Sequence, residues 1–409
     1  MHSTSIADPA ATADLAATTA EHWPHFAEDE VEAVVATLRS GKVNQWTGDK
    51  VFAFQDAYDR YLGRGRSLAL HNGSLALEIV LRAWGIGPGD EVVTTPRTFV
   101  ASASSIRLVG ATPVFAEIDR DSGNITPETV AAAITERTKA IIPVHLAGWP
   151  VDVPALMELA EPRGIKVLED CAQAHGAEID GRPVGTFGHA AAFSFCQDKI
   201  LSTGGEGGLT VFHDDADFEW AWSFKDHGKS RAKITTPQPG SGFRYLHDSV
   251  GTNWRMLETS AAIGLAQLAK LDAWREARAE RAAVWQVALG EIEGLRTPMP
   301  DPSRIRHANY KWYAYVDASE AAGRDLDAAQ AARDEIMRRA TELGIRAFTG
   351  SGSEIYLEGA FDDLDTPTLP VAHELGRTAL MFEVHPTLDL ERLRRRAAAV
   401  ADIARDVLG

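Results

Sequence analysis

Cysteine, surplus basic charge and long apolar runs are all scarce in this chain. The 409 residues contain two cysteines, Cys171 and Cys196, too few for a disulfide framework. Reduced thiols, and with them a cytoplasmic compartment, are expected. Lys and Arg total 41 against 58 Asp and Glu, a formal net charge of −17. Nucleic acid is therefore not expected as the main partner, because phosphate binding needs a basic face. No stretch approaches the roughly 18 apolar residues of a membrane span, so no membrane partner is expected. Residues 1–20 lack the basic start and apolar core of a signal peptide; rich in Ala, Thr and Ser, they read as a disordered tail. His145, His175, His227, His307 and His385 show no HxxxH spacing and there is no CxxC, so no metal site is expected.

What is present is an ordinary globular composition, 45% hydrophobic and 24% charged, in a chain too long for one compact core. An amphipathic helix is expected over about Ala27–Leu38, acidic at its start and followed by Arg39. The loop Gly41–Gly48 carries Asn44, Gln45 and Trp46. Short β-like runs are expected at Leu68–His71, Glu91–Thr94, Pro113–Ala116, Ala140–His145, Lys166–Glu169, Ala191–Phe195 and Gly208–Phe212. Helical patterns at Leu75–Trp84, Ala101–Leu108, Pro127–Ile134 and Val153–Ala160 alternate with them. That order implies βαβ units and a largely parallel sheet, with ligands at the carboxyl ends of strands. From Glu258 to Leu289 one long helix or two in succession is expected. A second domain follows from near Leu295, with a strand-like run at Tyr310–Val316 and helical patterns at Ala328–Leu343 and Leu390–Val407.

Chemistry concentrates in two segments. Glu169-Asp170-Cys171-Ala172-Gln173-Ala174-His175-Gly176 follows a short apolar run. Ser194-Phe195-Cys196-Gln197-Asp198-Lys199 precedes the glycine run 204–208. A carboxylate ending a strand and a lysine 29 positions later suit a pyridoxal phosphate site. Such a site needs an amine to hold the cofactor aldehyde as a Schiff base and a carboxylate to keep the pyridine nitrogen protonated. Each residue has a plainer reading. Lys199 could be a solvated surface charge, Asp170 a helix cap and Gln173 a helix-surface amide. Asn72-Gly73-Ser74 precedes a helix and could cradle phosphate at its N-terminus, or merely cap it. Phe99 could lie on the cofactor ring or in the core. Gly85–Asp90 follows a helix and precedes a strand, the wrong order for a dinucleotide fingerprint.

Taken together, Asn72–Leu77 with Gly85–Val92, Thr98-Phe99-Val100-Ala101, Val144–Gly148, Glu169–Gln173 and Gly251-Thr252-Asn253-Trp254-Arg255-Met256 resemble the DegT/StrS family of sugar aminotransferases. The match runs in order from about Val51 to Leu271 and more weakly to the C-terminus. The resemblance implies an α/β, fold type I transferase dependent on pyridoxal 5'-phosphate, with pyridoxamine phosphate as its alternate form. Residues 21–285 would form a large domain with a mixed, mostly parallel sheet of seven-stranded type, and residues 286–409 a smaller α+β domain.

It also implies a homodimer with shared active sites. Lys199 and Asp170 would be catalytic; Gln173 would lie at the ring's oxygen edge, with Phe99 stacked on the ring. Gly73, Ser74 and Ser194 would hold the phosphate, and Asn253 would reach the phosphate site of the neighbouring subunit, with Arg255 nearby. The implied reaction moves an amino group, usually from L-glutamate, to a keto or aldehyde sugar, nucleotide-linked or an unusual sugar acid, in amino-sugar biosynthesis. A sugar dehydratase or lyase on the same fold and a non-catalytic regulatory protein are the alternatives. Dehydratases of the family replace the lysine with histidine, whereas Lys199 is kept here. Many relatives have proline or serine where Gln197 and Asp198 stand, and threonine where Ser74 stands. The runs Phe193–Lys199 and Phe224–Lys229 resemble a subgroup acting on unusual sugars, among them an eight-carbon acidic amino sugar.

Overall fold

Strands of four or five residues, fully or largely buried, are bounded by glycine, proline or polar turns, and they assemble into one large sheet. The computed structural model describes residue 15, residues 21–236 and residues 243–409; apart from Leu15, the expected tail at 1–20 lies outside the described residues. The large sheet comprises β1 (Arg66–Leu70), β2 (Glu91–Thr94), β3 (Thr112–Phe115), β4 (Thr138–Ile142), β5 (Lys166–Asp170), β8 (Ala190–Ser194) and β9 (Gly208–Phe212). Its seven strands lie in the order β1-β9-β8-β5-β4-β2-β3. β9 pairs antiparallel with both β1 and β8, and the other pairings are parallel. The sheet is thus mixed and mostly parallel, as expected.

Two strands, β6 (Glu178–Ile179) and β7 (Arg182–Pro183), form a hairpin joined by β11 (Ile305–Arg306). A smaller antiparallel sheet, β10-β12-β13, is built from Leu295–Arg296, Trp312–Val316 and Ala379–Phe382. Helices Leu271–Leu289, Leu326–Glu342 and Leu390–Leu408 cover it, burying Trp285, Ile336, Phe382 and Val400 in one cluster.

The expected long helical stretch is two helices, Glu258–Leu268 and Leu271–Leu289. The second crosses residue 285, and its Ala282, Trp285 and Leu289 belong to the small sheet's core. Another core cluster joins Tyr315, Leu375 and Ala379 to Val93, Ile141 and Val167 of the large sheet, so the two sheets share apolar packing. The helices Lys50–Leu62, Asp215–Phe224 and Pro370–Thr378 and the strand β13 were not read from the sequence. Among the described residues no helix is long and apolar enough to cross a membrane.

The N-terminal segment ties these parts together. Buried Glu21 accepts from the Asp389 N–H at 3.0 Å and pairs with Arg396 at 2.8 Å and Arg392 at 3.0 Å, gripping the start of the last helix. Two residues on, the Trp23 indole donates to the Lys199 carbonyl at 2.7 Å. Burial pushes the Glu21 carboxyl up, but its backbone and guanidinium partners outweigh burial and bring it down to about 2. A carboxyl held below its ordinary value contributes stability that is complete above about pH 5 and fades as pH falls towards 2. Glu21→Gln is expected to lower the urea midpoint at neutral pH, with the gap to the parent narrowing below about pH 5. A gap independent of pH would mean that the ion pairs are not its source.

Candidate active site

Three strand ends and one helix start converge on a cavity of about 640 Å³ at the carboxyl edge of the parallel strands. Asp170, Gln173, Gly73, Ser74, Phe99, Ser194 and Lys199 all line it. Asn253 and Arg255 do not: Asn253 is exposed, and Arg255 pairs with Asp226 at 2.8 Å.

Asp170 ends β5 and is 4% exposed. Its Oδ1 accepts from the Ala172 N–H at 3.1 Å and its Oδ2 from Ser102 at 2.8 Å; Ser102 in turn lies 3.0 Å from the Thr98 hydroxyl. It caps no helix. Burial raises its carboxyl above the ordinary range, while Ser102, Ala172 and the charge of Lys199 draw it part of the way back. A group held in that balance gains from a cation placed against it.

Gln173 is buried and its Oε1 accepts from the Ala147 N–H at 2.8 Å, which leaves its amide NH₂ to donate elsewhere. Ala147 makes that bond from a left-handed conformation (φ 56°), in the turn carrying the motif Val144–Gly148. Phe99 is no core residue: it is 67% exposed, at the rim of the cavity.

The helix Gly73–Ala83 begins at the opposite wall. Asn72 caps it, accepting from the Leu75 N–H at 3.0 Å. Its first-turn N–H groups have no acceptors within the helix, and its positive end faces the cavity with the hydroxyls of Ser74 and Ser194. The approach is close. A Cβ on Gly73 would stand 2.6 Å from the Ser194 Cβ, and one on Gly208 would fall on the Asn72 carbonyl oxygen. Uncommitted N–H groups, hydroxyls and a backbone without side chains are the donor set that suits a phosphate.

Lys199 lies past β8 with its side chain 13% exposed, its N–H donating to the Cys196 carbonyl. Sequence reasoning missed two neighbours. Asp198 lies 4.0 Å from the Lys199 ammonium, and Tyr310, expected as the start of a strand, instead lines the cavity two residues before β12 and donates to Asp198. It also missed the wall formed by Gly350, Ser351, Gly352, Ile355 and Glu358. Nothing in their local sequence marks those residues as ligand-facing.

His145, Glu169 and Cys171 bring ligand atoms within 4.8 Å of one another, a juxtaposition that spacing did not foretell. The group already satisfies itself. His145 Nδ1 accepts from Val151, its Nε2 faces Glu169 at 3.2 Å, and Glu169 accepts from the N–H groups of Gly185, Phe187 and Gly188. His175, buried between Tyr58 and the Ser194 carbonyl, is pushed by burial down to about 4 and stays neutral.

Fold and comparisons define the class as a fold type I, pyridoxal-phosphate-dependent aminotransferase. The chain belongs to the DegT/DnrJ/EryC1/StrS aminotransferase family, which it matches over residues 24–401. It is similar to the crystal structure of an aminotransferase from Psychrobacter cryohalolentis, with 42% identity and a TM-score of 0.89, covering 95% of this chain and 99% of the other. It is 34% identical to the 3-amino-5-hydroxybenzoate synthase of Amycolatopsis mediterranei, over 84% of each chain. It is 33% identical to the dTDP-3-amino-3,4,6-trideoxy-alpha-D-glucose transaminase of Streptomyces venezuelae, over 92% of each.

The glycine contacts are testable without any ligand. Gly208→Ala is expected to cost about 2–3 kcal/mol in urea unfolding, since its Cβ has to displace the Asn72 carbonyl. Gly359→Ala, whose Cβ would find its nearest atom at 3.7 Å, is expected to stay within about 0.5 kcal/mol of the parent. Equal costs at the two positions would remove the close approach from the argument.

Proposed function

We propose that this protein transfers an amino group from L-glutamate to the carbonyl carbon of a keto or aldehyde sugar. The observation that carries the reading is the pairing of Lys199 with buried Asp170 across one cavity whose third wall is an open helix N-terminus. The relative that makes a dTDP-linked amino sugar supports a sugar acceptor. Pyridoxal phosphate, when bound, supplies an aldehyde to accept the amino group and a protonated ring to take up electrons from the substrate's Cα–H bond.

The chain's own residues have separable tasks in this reading. Gly73, Ser74 and Ser194 hold the phosphate through N–H and hydroxyl donors. Asp170, fixed by Ser102 and Ala172, holds the pyridine proton in place. Gln173 would donate to the ring's oxygen edge with the NH₂ that its bond to Ala147 leaves available. Phe99, exposed at the cavity rim, would cover the ring face. Lys199 would hold the cofactor and, once released, would carry the proton leaving the donor's Cα. Retention of Lys199 favours transamination over dehydration, and retention of Asp170 as well argues against a purely regulatory role.

Incubation with glutamate and a panel of keto sugars, read by mass spectrometry, is expected to yield 2-oxoglutarate and an aminated sugar in equal amounts. Lys199→Ala is expected to abolish turnover by several orders of magnitude while still binding the cofactor through its phosphate. Borohydride treatment of the loaded parent protein should fix the cofactor to Lys199. A label on another lysine, or consumption of sugar without 2-oxoglutarate, overturns the reading.

Asn253 belongs to a second subunit's site in this reading, in keeping with its exposure outside its own chain's cavity. Co-expressed Asn253→Ala and Lys199→Ala chains are then expected to form hybrid dimers in which one site carries both lesions and the other neither. Such hybrids should recover about half the parent activity per dimer, far above either variant alone. Verified hybrids as inactive as their parents would exclude shared sites.

A further inference from the structure

Asp198 occupies a position that the reaction as described does not use. Its Oδ1 lies 4.0 Å from the Lys199 ammonium, while its Oδ2 accepts the hydroxyl of Tyr310. Tyr310 is 6% exposed and held at both backbone ends: its N–H donates to the Ala147 carbonyl at 2.9 Å, and its carbonyl accepts from Arg278 at 3.3 Å. Two ammonium groups lie near its ring, Lys199 Nζ 5.1 Å and Lys311 Nζ 5.2 Å from the centroid. A phenol anchored in this way fixes one oxygen of Asp198, and the second oxygen is thereby turned towards Lys199.

We propose that Asp198, anchored by Tyr310, is the counter-ion of Lys199: a positioning pair that favours the charged form of the lysine nitrogen and directs it into the cavity. The proposal rests on the reading of Lys199 as the cofactor's lysine. It assigns Asp198 and Tyr310 a role in the proton traffic of that nitrogen.

Asp170, Asp198, Glu206 and Glu358 all line the cavity, and among the described residues Asp198 is the carboxylate in ion-pair range of the Lys199 ammonium. Asp170, from β5, is engaged by Ser102 and Ala172 and is reserved for the ring nitrogen in the function proposed above. Glu206, from the glycine run, lines the cavity, and Cys196 on the same loop as Lys199 has its thiol raised by burial. His175 is neutral at working pH. Lys311 lies 3.9 Å from Glu383, and Arg278, from the helix Leu271–Leu289, bonds the Tyr310 carbonyl. Burial raises the Tyr310 phenol well above its ordinary value, so it remains a donor. Burial pushes Asp198 up as well, but Lys199, Tyr310 and Lys311 outweigh it and hold the carboxyl below its usual range. The pair therefore presents a permanent negative charge to a lysine whose own charge changes during the cycle.

A structural Asp198–Tyr310 bond would not alter the chemistry of Lys199, whereas a counter-ion must. In the cofactor-free full-length protein, trace acylation with acetic anhydride at about pH 8 reports the fraction of uncharged amine, peptide by peptide in a mass spectrometer. Asp198→Asn, which keeps the shape and an acceptor for Tyr310, is expected to speed acylation of Lys199 by roughly three- to tenfold and to leave the lysines other than its neighbour Lys311 unchanged. Tyr310→Phe is expected to act in the same direction by about twofold, and to add nothing in the Asp198→Asn background. In the loaded protein, the pH midpoint of the cofactor's visible absorption is expected to fall by about one unit in Asp198→Asn.

Unchanged acylation of folded Asp198→Asn protein overturns the proposal, as does a Tyr310→Phe effect of full size in the Asp198→Asn background. Faster acylation with an unmoved absorption midpoint leaves this ion pair standing and overturns the reading of Lys199 as the cofactor's lysine. The two failures are therefore distinguishable.

Discussion

Much of the site depends on one steric constraint: the first turn of the helix Gly73–Ala83 lies directly against the adjoining ends of β8 and β9. Gly73 meets Ser194, and Gly208 meets the Asn72 carbonyl, at distances that leave no room for a Cβ. Because β9 runs antiparallel between β1 and β8, Gly208 pairs with Leu70 on one side and Ser194 on the other. The two neighbours are the residues from which the helix start and the lysine loop depart. The cavity's donor-rich wall and its lysine are thus held in one register, set by a strand that contributes no residue to the cavity lining.

The adjacent pair Glu169 and Asp170 illustrates how strand alternation separates structure from chemistry. Successive residues of β5 point to opposite faces. Glu169 faces the loop 185–188 and accepts three backbone N–H groups besides facing His145. Burial raises its carboxyl, but His145 and those N–H groups more than compensate, and it stays below its usual range. Asp170 faces the cavity with fewer donors and is left raised. Two buried carboxylates one residue apart therefore differ in the direction of their shift because one is saturated and the other awaits a cation. His145 and Cys171 belong to the saturated side.

The alternation of strands and helices was legible because each large-sheet strand is a short apolar run with a turn at its end. Glu91–Thr94 and Gly208–Phe212 are found with the boundaries expected, and so is the helix Ala101–Leu108. Boundaries slipped where the chain leaves the sheet while remaining apolar: β4 ends at Ile142, although Pro143 and Val144 continue the buried run towards His145. Lys50–Leu62 is harder to read, since its buried face includes the polar Gln55, which accepts from the Ala69 N–H. The residues quoted for the site gather around the cavity when they lie at strand ends or helix starts. The wall 350–358 and Tyr310 were not legible, since their part in the site depends on how the small sheet packs on the large one.

That packing gives the small sheet more than a supporting part. Its strand β12 carries Tyr313, whose hydroxyl accepts from the Ser351 N–H at 3.1 Å and so fixes the loop that forms the cavity's far wall. The Thr98 N–H donates to the Gly352 carbonyl and the Ile355 N–H to the Pro96 carbonyl, lacing that wall to the segment that presents Phe99. On the other side Trp23 holds the Lys199 carbonyl, while Glu21 grips the last helix. The lysine loop is thus fixed from three directions: by β8 behind it, by the N-terminal strap beside it, and by Tyr310 through Asp198 in front. These contacts hold the loop backbone on three sides around a lysine side chain that lines the cavity.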